Sequence, residues 1–249
     1  MIEARTRLSA PATVAVALWL DAWLRGEAAS DDLLGVLASA APDCPLRGAE
    51  PARSLDVLLG ELRGRQVVAA WPVLPRPGRT LGWPRELPDE PTAAILLVGP
   101  EQVACGLLLT ASAGWRLLPL VDGSAATALP LALLAEALPV RAALRRFTEL
   151  LAEATRELSL LGLERRPTQP LPTRWTAGLA VLPPSCGPEL VDLVHRIAHV
   201  LDALACALAD HGAAVTAGEA DSRADHLRRL RDALTDLLVS AVLGARAGP

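Results

Sequence analysis

The sequence has 249 residues, of which 51% are hydrophobic, 21% charged and only 3% aromatic, with a formal net charge of −4. Lysine and tyrosine are both absent, and all 24 basic residues are arginine. This composition excludes P-loop, kinase, Schiff-base and phenol-based chemistry, which need one or other missing side chain. The acidic balance and the scarcity of aromatic rings also argue against nucleic-acid binding.

The four cysteines are widely scattered and include no C-x-x-C pair, at Cys44, Cys105, Cys186 and Cys206. Their spacing excludes a zinc ribbon and a thioredoxin-like motif, and predicts reduced thiols in a cytoplasmic protein. The apolar run 12–20 is followed directly by Asp21, which favours a packed helix over a secretory signal. No stretch reaches the ~18 uninterrupted apolar residues of a membrane span.

Three helices are predicted in the N-terminal part, at residues 13–25, 31–40 and 55–63. Gly26 is expected to end the first helix, and Ser30 to cap the second. Apolar residues recur in the third at the spacing of one helix face.

Short apolar runs bounded by turn residues then predict strands, at residues 66–74, 93–98, 103–110 and 115–120. Consecutive runs of this kind are typical of an antiparallel meander, here of three or four strands. Because they barely alternate between apolar and polar residues, we expect both faces of the sheet to be covered.

Residues 71–91 contain six prolines and cannot form regular structure along their whole length. The simpler interpretation is a loop draped over the sheet, with Trp71 and Trp83 buried as anchors. The alternative is a lid or docking segment that contacts a partner or ligand through Trp71, Trp83 and Arg85.

The C-terminal half is predicted to be helical, with helices at residues 131–138, 141–163 and 188–209. Thr216 and Glu219 form a capping box that starts a fourth helix, which is expected to end at about residue 243. In the second helix, one face is expected to collect five apolar side chains: Leu144, Phe147, Leu151, Leu158 and Leu161. A proline-rich linker and one further strand at 173–182 are expected before the third helix.

One stripe of the 188–209 helix carries polar residues at spacings of three and four: Asp192, His195, His199, Asp202 and Cys206. His195 and His199 form an i, i+4 pair that can chelate a metal, with Asp202 as a candidate further ligand. The H-E-x-x-H glutamate is missing, so a metalloprotease is excluded. The simpler interpretation is a solvated helix face, and a third is a pH-sensitive or partner-facing patch.

Arg231 falls on the same side of the last helix as Leu227, Leu234 and Leu238. It must therefore extend to solvent along its aliphatic stem, pair with an acid of another helix, or reach a ligand in a pocket. The first of these is favoured. The sequence shows no set of serine, cysteine and histidine residues with catalytic spacing.

Three segments, at residues 17–26, 151–163 and 212–230, resemble a group of uncharacterised actinobacterial proteins of similar length. The resemblance implies a cytoplasmic protein from a GC-rich genome. No activity is assigned to that group, so it implies no site residues.

The sequence thus predicts an α+β protein with N-terminal helices, a small antiparallel meander and a C-terminal helical bundle packed on it. Residues 1–125 would hold the first two parts and residues 126–249 the bundle, and we expect the two to form one compact unit. The favoured function is a non-enzymatic interaction or scaffold protein that binds another protein or itself as a homodimer, with no cofactor and no contact with membrane or nucleic acid. The alternative is a small-molecule binder or enzyme with an apolar pocket between sheet and bundle, which Arg231 could line.

Overall fold

The computed structural model describes residues 10–40, 55–74, 93–99, 104–110, 114–119, 137–160, 181–209 and 216–246. These ranges form α1 (Ala10–Leu24), α2 (Ser30–Ala40), α3 (Leu55–Gly64), β1 (Ala69–Val73), β2 (Ala93–Val98), β3 (Ala104–Thr110), β4 (Gly114–Pro119), α4 (Val140–Leu160), α5 (Pro188–Ala209) and α6 (Ala217–Arg246). Helices and one antiparallel sheet are compatible with the predicted α+β class. None of the helices in these ranges is both long and apolar enough to cross a membrane.

The chain divides into two compact units. The first comprises residues 1–136 and 180–187, and the second residues 137–179 and 188–249. A short later segment, residues 180–187, thus belongs to the first unit. The expected boundary between residues 125 and 126 stays a prediction. The packing of the bundle on the sheet stays a prediction.

In the first unit, α1 is buried on all sides, from Pro11 to Trp23. A helix that is apolar around its whole circumference must be covered all round, and α1 contacts α2, β1 and β2. The indole N–H of Trp19 donates to the carbonyl of Val181, in the segment that returns from later in the chain. This helix is therefore the centre of the first unit's core.

The predicted end of α1 at Gly26 is confirmed. Gly26 has a φ of 76°, its N–H donates to the carbonyl of Trp23, and the N–H of Glu27 donates to that of Ala22. This pair of bonds is a Schellman motif, which requires a left-handed residue at the position of Gly26. The next helix begins at Ser30, whose Oγ accepts a hydrogen bond from the indole N–H of Trp23 at 3.0 Å.

The four strands form an antiparallel meander in the order β1-β2-β3-β4, as predicted. Pro72 lies within β1, which has a strand neighbour on one side only among the described strands, and proline is tolerated at such an edge because it has no N–H to donate. In β2, four consecutive residues, 94–97, are buried. Because successive side chains point to opposite faces, both faces of this strand are covered.

In the second unit, α4 and α5 each pack against α6. A Cβ at Gly244, near the end of α6, would lie 3.2 Å from Cγ2 of Val140, at the start of α4. At the other end, the guanidinium of Arg223 donates to the carbonyl of Ala207 at 2.8 Å. Helix α6 therefore runs antiparallel to both neighbours.

The predicted capping box at the start of α6 is confirmed. The N–H of Thr216 donates to Oε2 of Glu219 at 3.1 Å, and the N–H of Glu219 donates to Oγ1 of Thr216 at 3.2 Å. Two further predicted elements fall largely outside the described residues. These are the helix at 131–138, whose last two residues are not helical, and the strand at 173–182, whose last two residues are not in a strand.

Candidate functional site

The polar stripe of α5 lies on the side of the helix that the periodicity predicted. The residues buried on the opposite side are Val194, Ile197, Ala198, Leu201 and Leu204. Asp192, His199 and Cys206 are exposed, whereas His195 and Asp202 are half-buried. The five side chains thus share one outward-facing surface, which we call the histidine stripe.

Two electrostatic interactions of the histidine stripe join residues within α5 itself. Burial raises the pKa of Asp202 above its ordinary value of 3.8, and the neighbouring charge of His199 opposes that rise. Asp192 forms an exposed ion pair with Arg196, one turn later, at 3.9 Å. Exposed pairs of this kind contribute only a few tenths of a kcal/mol.

A metal ion needs more ligands than one histidine pair supplies. Within the described ranges, no three histidine, cysteine, aspartate or glutamate side chains come together in a way that could hold a metal ion. The site formed by His195, His199 and Asp202 therefore stays a prediction that depends on a ligand from elsewhere.

Arg231 extends from the buried side of α6 into solvent. Its neighbours Leu227, Leu234 and Leu238 are buried, while its own side chain is 46% exposed. The guanidinium Nε lies 3.4 Å from Oδ1 of the adjacent Asp232. This arrangement is the one expected when an arginine stem covers apolar surface and its head stays hydrated. A role for Arg231 in a pocket stays a prediction.

The three candidate contact residues of the proline-rich segment are only partly described. Trp71 lies in β1, paired with Leu96 of β2, and is half-buried. Trp83 and Arg85 lie outside the described residues. The interpretations of this segment as an anchored loop or as a lid both stay predictions.

The structure corrects the predicted apolar face of α4. Leu144 and Leu151 are 48% and 44% exposed, and the buried residues of this helix are Ala143 and Ala154. Phe147 and Leu158 are half-buried, and Leu161 lies outside the described residues. The wide apolar stripe of α4 therefore turns its alanine side inward and leaves the leucine side uncovered.

Two threonines complete the uncovered side. Thr148 and Thr155 are exposed and alternate with Leu144 and Leu151 at spacings of four, three and four. At about 100° per residue, the four lie within an arc of ~60°. We call this set of four residues the Leu-Thr face.

Both threonine hydroxyls of the Leu-Thr face are satisfied within the helix. Oγ1 of Thr148 donates to the carbonyl of Leu144 at 2.9 Å, and Oγ1 of Thr155 donates to that of Leu151 at 2.8 Å. A hydroxyl bonded back to its own helix needs no further donor site. The methyl groups of the threonines can therefore contact an apolar surface without leaving a polar group unpaired.

The Leu-Thr face differs from the prediction because the apolar spacing of α4 favours burial of both leucines. A signal was nevertheless present in the sequence. Apolar or threonine residues at alternating spacings of four and three form a seam with a repeat of 3.5 residues, which is the repeat of paired helices.

Part of the second unit is similar to a known protein family. Residues 140–236 match the family model described as Rv1486c-like protein, C-terminal domain, a stretch that begins with α4 and ends within α6. The chain matches no curated protein and no solved structure. The family match is consistent with the resemblance to uncharacterised actinobacterial proteins, and no activity is known for that family.

Proposed function

We propose that this chain is a non-enzymatic, cytoplasmic protein-interaction protein and that its contact surface is the Leu-Thr face of α4. The observation that carries the proposal is the exposure of Leu144 and Leu151, at 48% and 44%, seven residues apart on one helix. Single exposed leucines are common in folded proteins. Two on one face, joined by threonine methyl groups, form a continuous apolar strip of the kind that marks interaction sites.

The helical unit provides a rigid support for this surface. Helix α4 packs along α6, and the capping box and the bond from Arg223 to Ala207 hold the start of α6 in place. The family match to residues 140–236 covers the same helices, which supports treating them as a recurring module. The composition excludes catalysis by lysine and tyrosine side chains, which narrows the enzymatic alternatives.

The test is site-specific photo-crosslinking in the cells that make the protein. A benzophenone amino acid at position 148 lies on the Leu-Thr face, whereas the same probe at the exposed position 146 lies on the far side of the helix. We expect a defined crosslinked species from position 148 and none from position 146. Equal crosslinking at both positions, or none at either, would contradict the proposal.

A further inference from the structure

We propose that the occupant of the Leu-Thr face is a second copy of the same face, so that two chains associate through antiparallel α4 helices. This inference rests on the proposed function and specifies its partner. The order of large and small side chains along the face and the charge at its ends favour this pairing.

The Leu-Thr face is complementary to its own reversed copy. From the N-terminus, the order of the face is Leu144, Thr148, Leu151, Thr155, at spacings of four, three and four. In the reversed order the spacings are the same, and a leucine stands wherever the forward order has a threonine. One two-fold axis between residues 149 and 150 therefore sets Leu144 opposite Thr155 of the second copy. The same axis sets Thr148 opposite Leu151 of that copy.

Each pair of facing residues forms one layer of the contact. Every layer then combines a large leucine side chain with a smaller threonine. Facing side chains that alternate in size interdigitate and fill the space between two helices. Because a two-fold contact uses the same patch on both subunits, the four residues account for all four layers. The internal hydrogen bonds of Thr148 and Thr155 mean that burying these layers costs no unpaired hydroxyl.

Charge at the ends of the face favours the same arrangement. The two-fold axis sets the exposed Arg141 opposite residue 158 of the second copy, in the last turn of that copy's α4. The C-terminal end of a helix carries partial negative charge. The antiparallel pairing therefore places the positive charge of Arg141 near that end of the other copy, at both ends of the contact.

The size of the surface predicts a weak dimer. The four residues extend over only ~17 Å of helix, and such a contact belongs with interfaces that bury less than ~1,200 Å² in total. We therefore expect a monomer–dimer equilibrium that shifts with protein concentration.

The experiment is sedimentation velocity of the full chain under reducing conditions, from low micromolar to several hundred micromolar protein. Leu151→Glu puts a charge in two of the four layers, and we expect it to raise the dimer dissociation constant at least ~10-fold. Thr155→Glu puts a charge in the other two layers, and we expect it to raise the dimer dissociation constant by a similar factor. Val200→Glu is the matched control, because Val200 of α5 is 39% exposed, and it should leave the constant unchanged.

A wild-type chain that stays monomeric throughout, or a dimer that neither face variant weakens, would overturn the proposal of a second copy. The crosslinking probe at position 148 then shows whether only the proposal of a second copy has failed or the proposed function has failed as well. A crosslink to a different protein would leave the proposed function standing, whereas no crosslink would remove both.

Discussion

Oδ1 of Asp21, in α1, accepts a hydrogen bond from the backbone N–H of Ala70, in β1, at 3.2 Å. Asp21 is only 4% exposed, and its other carboxylate oxygen lies 3.3 Å from the guanidinium of Arg25. Because N–H groups two residues apart point to the same edge of a strand, the next donor on this side would belong to Pro72, which has none. Asp21 and Pro72 together leave this edge of the sheet without a free N–H in β1, a protection that edge strands need against pairing with other chains.

Replacing Asp21 with alanine should therefore destabilise the first unit by about 2 kcal/mol, because a buried N–H then loses its acceptor. Asp21→Asn keeps an acceptor oxygen and should cost less. Urea unfolding of the full chain measures both changes. Asp31→Ala, at an exposed aspartate in the first turn of α2, is the control and should change stability by only a few tenths of a kcal/mol. Equal effects from Asp21→Ala and Asp31→Ala would show that the contact with Ala70 contributes nothing.

Gln66 occupies a position that would suit glycine better. Its φ is 53°, and it follows α3 with the same pair of bonds that closes α1, from Gln66 to Arg63 and from Val67 to Leu62. A left-handed conformation costs a non-glycine residue roughly 1–2 kcal/mol.

We therefore expect Gln66→Gly to raise the free energy of unfolding by about 1 kcal/mol, measured by thermal or urea denaturation. Arg65→Gly is the matched control at the preceding exposed residue, which has no positive φ. That change should lower stability, since glycine there only adds freedom to the unfolded chain. A gain from both variants would refute the strain at Gln66.

The stability contribution of Asp202 should depend on pH. Burial raises the pKa of this carboxyl in the folded chain above 3.8, so the folded state binds a proton more tightly than the unfolded state does. Stability due to Asp202 is therefore present at low pH and is lost as pH rises through the raised pKa.

Asp202→Asn should consequently be more stable than wild type at neutral pH, and the difference should disappear as pH falls below about 3.8. His199→Ala removes the opposing charge and should raise the pKa of Asp202 further, which a carboxyl NMR titration can follow. A pKa that falls in His199→Ala would contradict the assigned interaction.

The threonine methyl groups of the Leu-Thr face can be tested separately from the hydroxyls. Thr148→Val keeps the methyl group and removes the hydroxyl, whereas Thr148→Ser does the reverse. If the face pairs with its own copy, valine should preserve the dimer and serine should weaken it roughly three- to tenfold. Sedimentation velocity gives both constants. A serine variant that dimerises as well as wild type would show that the methyl group makes no contact.

Local features of this protein followed from the sequence alone. The end of α1 at Gly26 and the capping box of Thr216 and Glu219 each depend on residues close together in the chain. The meander was predicted from the succession of short apolar runs separated by turn residues. Hydrogen bonds at helix ends and turns involve only a few neighbouring residues. The residue types at those positions are therefore sufficient to predict them. The sequence also predicted which side of α5 carries the histidine stripe, because only the opposite side of that helix is apolar.

Only the tertiary structure decided which side of α4 is covered and which edge Asp21 protects. The apolar stripe of α4 includes both Ala143 with Ala154 and Leu144 with Leu151, and periodicity does not choose between adjacent sides of one stripe. The choice depends on the surface of α6, against which α4 packs and which comes close to Val140 at Gly244. Likewise, the contact between Asp21 and Ala70 joins residues 49 positions apart. No local pattern contains such information, because burial is a property of the partner surface as much as of the residue itself.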